Sequence, residues 1–111
     1  MKTINDDDIA HILPYILGRN MVFKSKQGNR IYYSNLATNS KLSINVSEFI
    51  HIRCKVWAFA KGYKLLDECN SIVVTNLRDM ELHIEDDDFD TPYVMQRIAK
   101  ACQWIIKVNN L

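Results

Sequence analysis

Strand-type alternation comes in adjacent pairs along this chain, each pair closed by a short turn, and helix-type spacing lies outside the pairs. Strands joined by a short turn must run antiparallel. The order α-β-β-(β)-α-β-β-α therefore predicts an α+β fold. It consists of an antiparallel sheet of four to five strands, made of two hairpins plus a short third strand, packed with three helices. A length of 111 residues suits one domain, 1–111, and an apolar share of 48% suits a real core.

The first helix follows Asn5 or Asp6, either of which can cap it, and Asp6, Asp7 and Asp8 suit the positive end of its dipole. Ile9, Ile12, Leu13, Ile16 and Leu17 fall on one helical face. Pro14 removes one internal hydrogen bond and predicts a kink or break, and Gly18 is a natural stop.

Met21–Lys26 and Arg30–Asn35 flank the turn residues Gln27-Gly28-Asn29. A two-residue loop would set Lys26 opposite Ile31 and mix charge with core. A three-residue loop pairs Lys26 with Arg30, Lys24 with Tyr32 and Phe23 with Tyr33. It sends Phe23, Ile31 and Tyr33 inward and gathers Lys24, Lys26, Arg30 and Tyr32 on the outer face. This separation of faces favours the three-residue register. A third strand follows, with Leu42, Ile44 and Val46 on its inner side.

Asn45 and Glu48 have capping-box spacing at the start of a second helix that runs through Phe49, Ile50, Val56, Trp57 and Ala60 to Gly62. That helix is apolar nearly all round, which predicts a central element covered on more than one side. The second hairpin joins Ser71–Thr75 to a return strand with Met80, Leu82 and Ile84 facing in. In the last helix Thr91 caps, Pro92 takes the first position, and Val94, Ile98, Ala101, Cys102 and Ile105 mark the buried face. The expected core comprises Trp57, Val56, Ile98, Cys102, Ile72, Val74 and Leu82, with Trp104 partly exposed.

No stretch of about 18 apolar residues occurs, so no membrane span is expected. The N-terminus turns acidic where a signal peptide needs an apolar run, which predicts a cytoplasmic protein. Cys54, Cys69 and Cys102 form no C-x-x-C pair and read as reduced residues without a disulfide.

Charge is segregated. Residues 19–64 hold nine Lys/Arg against Glu48 alone, a net +8, whereas residues 65–111 hold four against nine carboxylates, a net −5. Such asymmetry points to a charged partner or to contacts between copies, so a homodimer is among the expectations.

The three histidines are isolated from one another and from the cysteines, so no zinc-ligand spacing exists and no metal or cofactor is expected. Glu85, Asp86, Asp87, Asp88 and Asp90 lack the D-x-D-x-D-G pattern of a calcium loop and read as an acidic interaction surface. No nucleophile elbow or glycine-rich phosphate loop is present, and the chain reads as a non-enzyme. The remaining candidate surface is the basic hairpin, Lys24, Lys26, Arg30 and Tyr32 with Lys41 extending it. The expectation is a small non-enzymatic binding protein, a regulator or inhibitor that occupies the surface of a macromolecular partner, protein rather than nucleic acid. The first alternative is a nucleic-acid-binding module using that hairpin face, and the second, weaker one is a metal-dependent enzyme.

Overall fold

The computed structural model describes residues 4–67, 72–78, 82–83 and 94–111. The fold is α+β. Helix α1 (Asp6–Leu17) precedes an antiparallel sheet of β1 (Met21–Gln27), β2 (Arg30–Asn35) and β3 (Ser40–Asn45). A π-helical segment, Glu48–Cys54, runs directly into α2 (Lys55–Ala60). A second antiparallel sheet holds β4 (Tyr63–Asp67), β5 (Ile72–Asn76) and the two-residue β6 (Leu82–His83), and α3 (Val94–Val108) closes the described chain. The strands thus divide between two sheets. One of them, β4, was not expected from the sequence. It buries Tyr63 and Leu65 while Lys64 and Leu66 stay exposed, a strand alternation only two periods long.

Helix α1 is capped by Asn5, whose side chain accepts from the Asp7 amide at 2.8 Å. It runs unbroken through Pro14, contrary to the expected kink or break. Ala10, whose carbonyl loses its helical partner to the proline, is exposed and open to water. Burial of Ile9, Ile12, Leu13 and Ile16 offsets the lost bond. At the helix end Gly18 takes a φ of 131° that side-chain-bearing residues rarely adopt.

The first hairpin corrects the expected register. Its loop has two residues, Gly28 and Asn29, with Gln27 paired to Arg30 and Lys26 to Ile31. Gly28, at φ 59°, supplies the positive angle that a tight hairpin turn needs at its first central position. A bulge at Lys24 inserts the extra residue, so that Phe23 still pairs with Tyr33. The three-residue register requires an unbroken ladder. The chain instead takes the shorter turn and restores the apolar pairing one bulge later. On the other side of β2, Ile31 pairs with Ile44 and both are buried, whereas Leu42, expected inside, is exposed.

The buried apolar residues of α1, β2, β3, the π-segment, α2, β4, β5 and α3 form one cluster. Helix α3 lies at its centre and touches α1, the π-segment, α2, β4 and β5. Its inner face, with Ile98, Ala101, Cys102 and Ile105, is the one its spacing predicts. Trp104 is half-buried and meets Tyr63 edge-on, ring centroids 5.8 Å apart, while Asn109 Nδ2 donates to the Tyr63 hydroxyl at 3.2 Å. Ile72 and Val74 are buried as expected, but Trp57 is only half-buried and Val56 is exposed. Leu82's side chain, the Thr91-Pro92 helix start and Cys69 lie outside what is described.

Among the described residues two charged side chains enter the core. Arg97 is 1% exposed. Asp8 accepts hydrogen bonds from Gln96 Nε2, from Gln103 Nε2 at 2.7 Å and from Lys100 Nζ at 3.4 Å, which ties α1 to α3. Gln96 completes the link by accepting from the Asn5 amide at 2.9 Å.

Cys54 and Cys102, from the π-segment and α3, are free and buried. A hydrogen bond shared with Cys102, and then burial, pushes the Cys54 thiol well above its ordinary range. A neutral, enclosed thiol is a poor nucleophile and a poor substrate for oxidation. The non-reduced protein should therefore show no intramolecular disulfide between them, and a mass about two daltons light, lost on reduction, would contradict this.

Candidate docking face on the second helix

The π-segment and α2 form one continuous helical stretch whose start is set by Asn45. Its side chain accepts from the amides of Ser47 at 2.8 Å and Glu48 at 3.3 Å, as capping-box spacing predicts. Phe49, Ile50, Cys54 and Ala58 lie on the inner side and are fully buried. On the outer side Ile52, Val56 and Phe59 are 55%, 63% and 62% exposed. They follow one another at four and three residues, the spacing of a single helical face. The expectation of a helix covered on more than one side is thus corrected. Among the described residues only one side is covered, and the apolar character of the other finds no partner there.

A soluble helix ordinarily turns charge toward water. Here charge borders the apolar stripe instead. From residue 49 to residue 66 the chain carries four cations and no carboxylate. Arg53 lies beside Ile52 in sequence, Lys61 follows the helix end, and Lys64 projects from the outer face of β4 with Leu66. All three cations are exposed, and none pairs with a carboxylate among the described residues. The sequence signal for this face was present, as the all-round apolarity of the helix. That pattern alone does not tell a second layer of the same fold from a surface left open for another molecule.

The basic hairpin is only partly assembled. Cross-strand partners share a face, so Lys26, opposite Ile31, lies on the core side of the sheet, away from Arg30 and Tyr32. Arg30 and Tyr32 alternate on the outer face, and Lys41, paired with Ser34, joins them there. Arg30 is held down by Ser43, to whose hydroxyl its Nε and Nη2 donate at 3.3 and 3.0 Å. Lys24 is exposed at the bulge and does not pair with Tyr32. The acidic residues Glu85, Asp86, Asp87, Asp88 and Asp90 lie outside the described residues.

A cleft of about 190 Å³ opens between the Gly28-Asn29 turn, Asn45–Ser47 and Met95. It is smaller than the roughly 300 Å³ at which small-molecule pockets begin, and its lining carries no titratable side chain. Among the described residues no three His, Cys, Asp or Glu side chains gather into a metal-ligating group. His11 is exposed, at 6.4 Å from the ring of Tyr15, and His51 is half-buried. No described helix is long and apolar enough to cross a membrane.

No protein-family model matches the chain, and neither a curated protein nor a solved structure does.

Proposed function

We propose that this chain is a non-enzymatic binding protein that acts by docking on a macromolecular partner, and that the outer face of the π-segment and α2 makes the contact. The exposed row Ile52, Val56 and Phe59 carries this reading, because apolar side chains on an ordered helix lose free energy to water unless something covers them. Three such anchors, four and three residues apart, form the kind of apolar row by which amphipathic helices pack on one another. The regulator or inhibitor role follows the same physics, since occupying a partner's surface needs no chemistry of its own.

The test is a differential capture from host lysate with three forms of the chain. Wild type should retain a partner that the double change Val56→Ser, Phe59→Ser loses, while Arg30→Glu, Lys41→Glu retains it. Equal capture by wild type and the helix variant, with the melting temperature unchanged in both, would remove this face from the account.

The outer hairpin face gives a second reading, because Arg30, Tyr32 and Lys41 share it. A phosphate backbone with stacked bases would suit cations around an exposed tyrosine. The leading reading predicts no saturable binding of single- or double-stranded DNA at about 0.15 M salt. Binding that weakens steeply with salt and disappears in Arg30→Glu, Lys41→Glu would favour the nucleic-acid module instead.

A further inference from the structure

The cations bordering the apolar row specify the chemistry of what covers it. Resting on the docking role proposed above, we infer that the partner presents an amphipathic helical segment with apolar residues on one side and carboxylates flanking them. Charge complementarity around the apolar row supports this partner. Arg53, Lys61 and Lys64 are exposed, no carboxylate occurs from residue 49 to residue 66, and Ile52, Val56 and Phe59 lie in this same cationic stretch. A segment carrying Glu or Asp beside its apolar row would place acids against the cations while its own row covers the three anchors. Complementary charge of this kind steers encounter and fixes register, and the apolar contact supplies most of the affinity. Lys61 also suits the carbonyl end of its helix, which accounts for one cation but not for Arg53 or Lys64.

Other occupants fit less well. A second copy docked through the same face about a two-fold axis would bring like charges together. An anionic membrane is a broad plane held by clusters of roughly four to eight cations, and the exposed cations of this stretch are only Arg53, Lys61 and Lys64. A single acidic helix can cover one helical row and bring carboxylates to the cations of the same stretch.

The probe is a labelled synthetic helix of about 14 residues with Leu on one face and Glu on the other, read by fluorescence anisotropy against the full chain. Its counterpart carries Lys in place of Glu. The acidic helix should bind at least tenfold more tightly than the basic one. Phe59→Ser should weaken it by at least tenfold without moving the melting temperature. Charge reversal at Arg53→Glu, Lys61→Glu should exchange the preference, so that the basic helix binds better. Raising salt to about 0.5 M should narrow the difference between the two helices without abolishing binding, because screening acts on charge and not on apolar burial.

Equal binding of both helices, lost in Phe59→Ser, would overturn the acidic preference while leaving the docking face standing. Acidic-helix binding that survives Phe59→Ser, or no binding at millimolar peptide, overturns the inference. Only the former also removes the face from the proposed function. Tighter binding to phosphatidylcholine–phosphatidylserine vesicles than to the acidic helix, lost in Phe59→Ser, would replace the partner with a membrane surface. A dimer by light scattering that Phe59→Ser dissociates would replace it with a second copy.

Discussion

Phe49→Ala should destabilise the protein by about 3–5 kcal/mol, whereas Phe59→Ala, ten residues further along the same helical stretch, should stay within about 0.5 kcal/mol of wild type. Phe49 is fully buried against the common core, so truncation removes transferred apolar area and leaves a cavity. Phe59 is 62% exposed, and its ring gives up little on removal. Urea unfolding of both variants measures the contrast. A loss above about 2 kcal/mol at Phe59 would mean that its ring is packed in the folded chain, and the docking face would then not exist. The same pair separates stability from function, since Phe59→Ala should reduce partner binding at undiminished stability.

Asp8→Ala should cost about 2–3 kcal/mol at pH 7, because it leaves the Gln96 and Gln103 amides between α1 and α3 without their charged acceptor. Burial alone would raise the Asp8 pKa. The Gln103 and Gln96 donors, with Lys100 beside them, more than offset it and hold the carboxyl below its ordinary 3.8. A carboxyl whose folded pKa lies below its unfolded value stabilises the fold when ionised. Its contribution is complete above the unfolded pKa of about 3.9 and is lost as pH falls through the folded value. The stability gap between wild type and Asp8→Ala should therefore be widest near neutral pH and shrink below about pH 4. A gap that is the same at pH 7 and in strong acid would show that the carboxylate form of Asp8 is not what joins the two helices.

What could be read from the sequence was what local spacing determines. The α+β class, the cap at Asn45, the inner face of α3 and the faces of Ile31 and Ile44 all follow from periods of 3.6 and 2 and from side chains that bond their own backbone. The hairpin register was not legible, because two devices, a two-residue turn and a bulge at Lys24, together restore the Phe23–Tyr33 pairing that a single longer loop would also have given. That difference of one residue put Lys26 on the core side and removed it from the expected patch with Lys24, Arg30 and Tyr32. Strand β4 escaped because two inward residues, Tyr63 and Leu65, are too short a signal directly after a helix.

The candidate site was hidden for a different reason. Apolar spacing reports that a surface is to be covered and not what covers it. Phe49 and Phe59 look alike in sequence. Only the placement of α3 and β4 against one side of the helix distinguishes them, and that is set by contacts distant in the chain. The segregation of charge was visible from the start, but its most telling part was the run from residue 49 to residue 66, where cations border an apolar helix, and not the hairpin.

The most direct test of the docking face is an amide-resolved NMR titration of the full chain with the acidic synthetic helix. The shifted resonances should cluster from Ile52 to Lys64, with Arg30, Tyr32 and Lys41 unmoved. Shifts confined to β1–β3, with Ile52, Val56 and Phe59 unchanged, would contradict it.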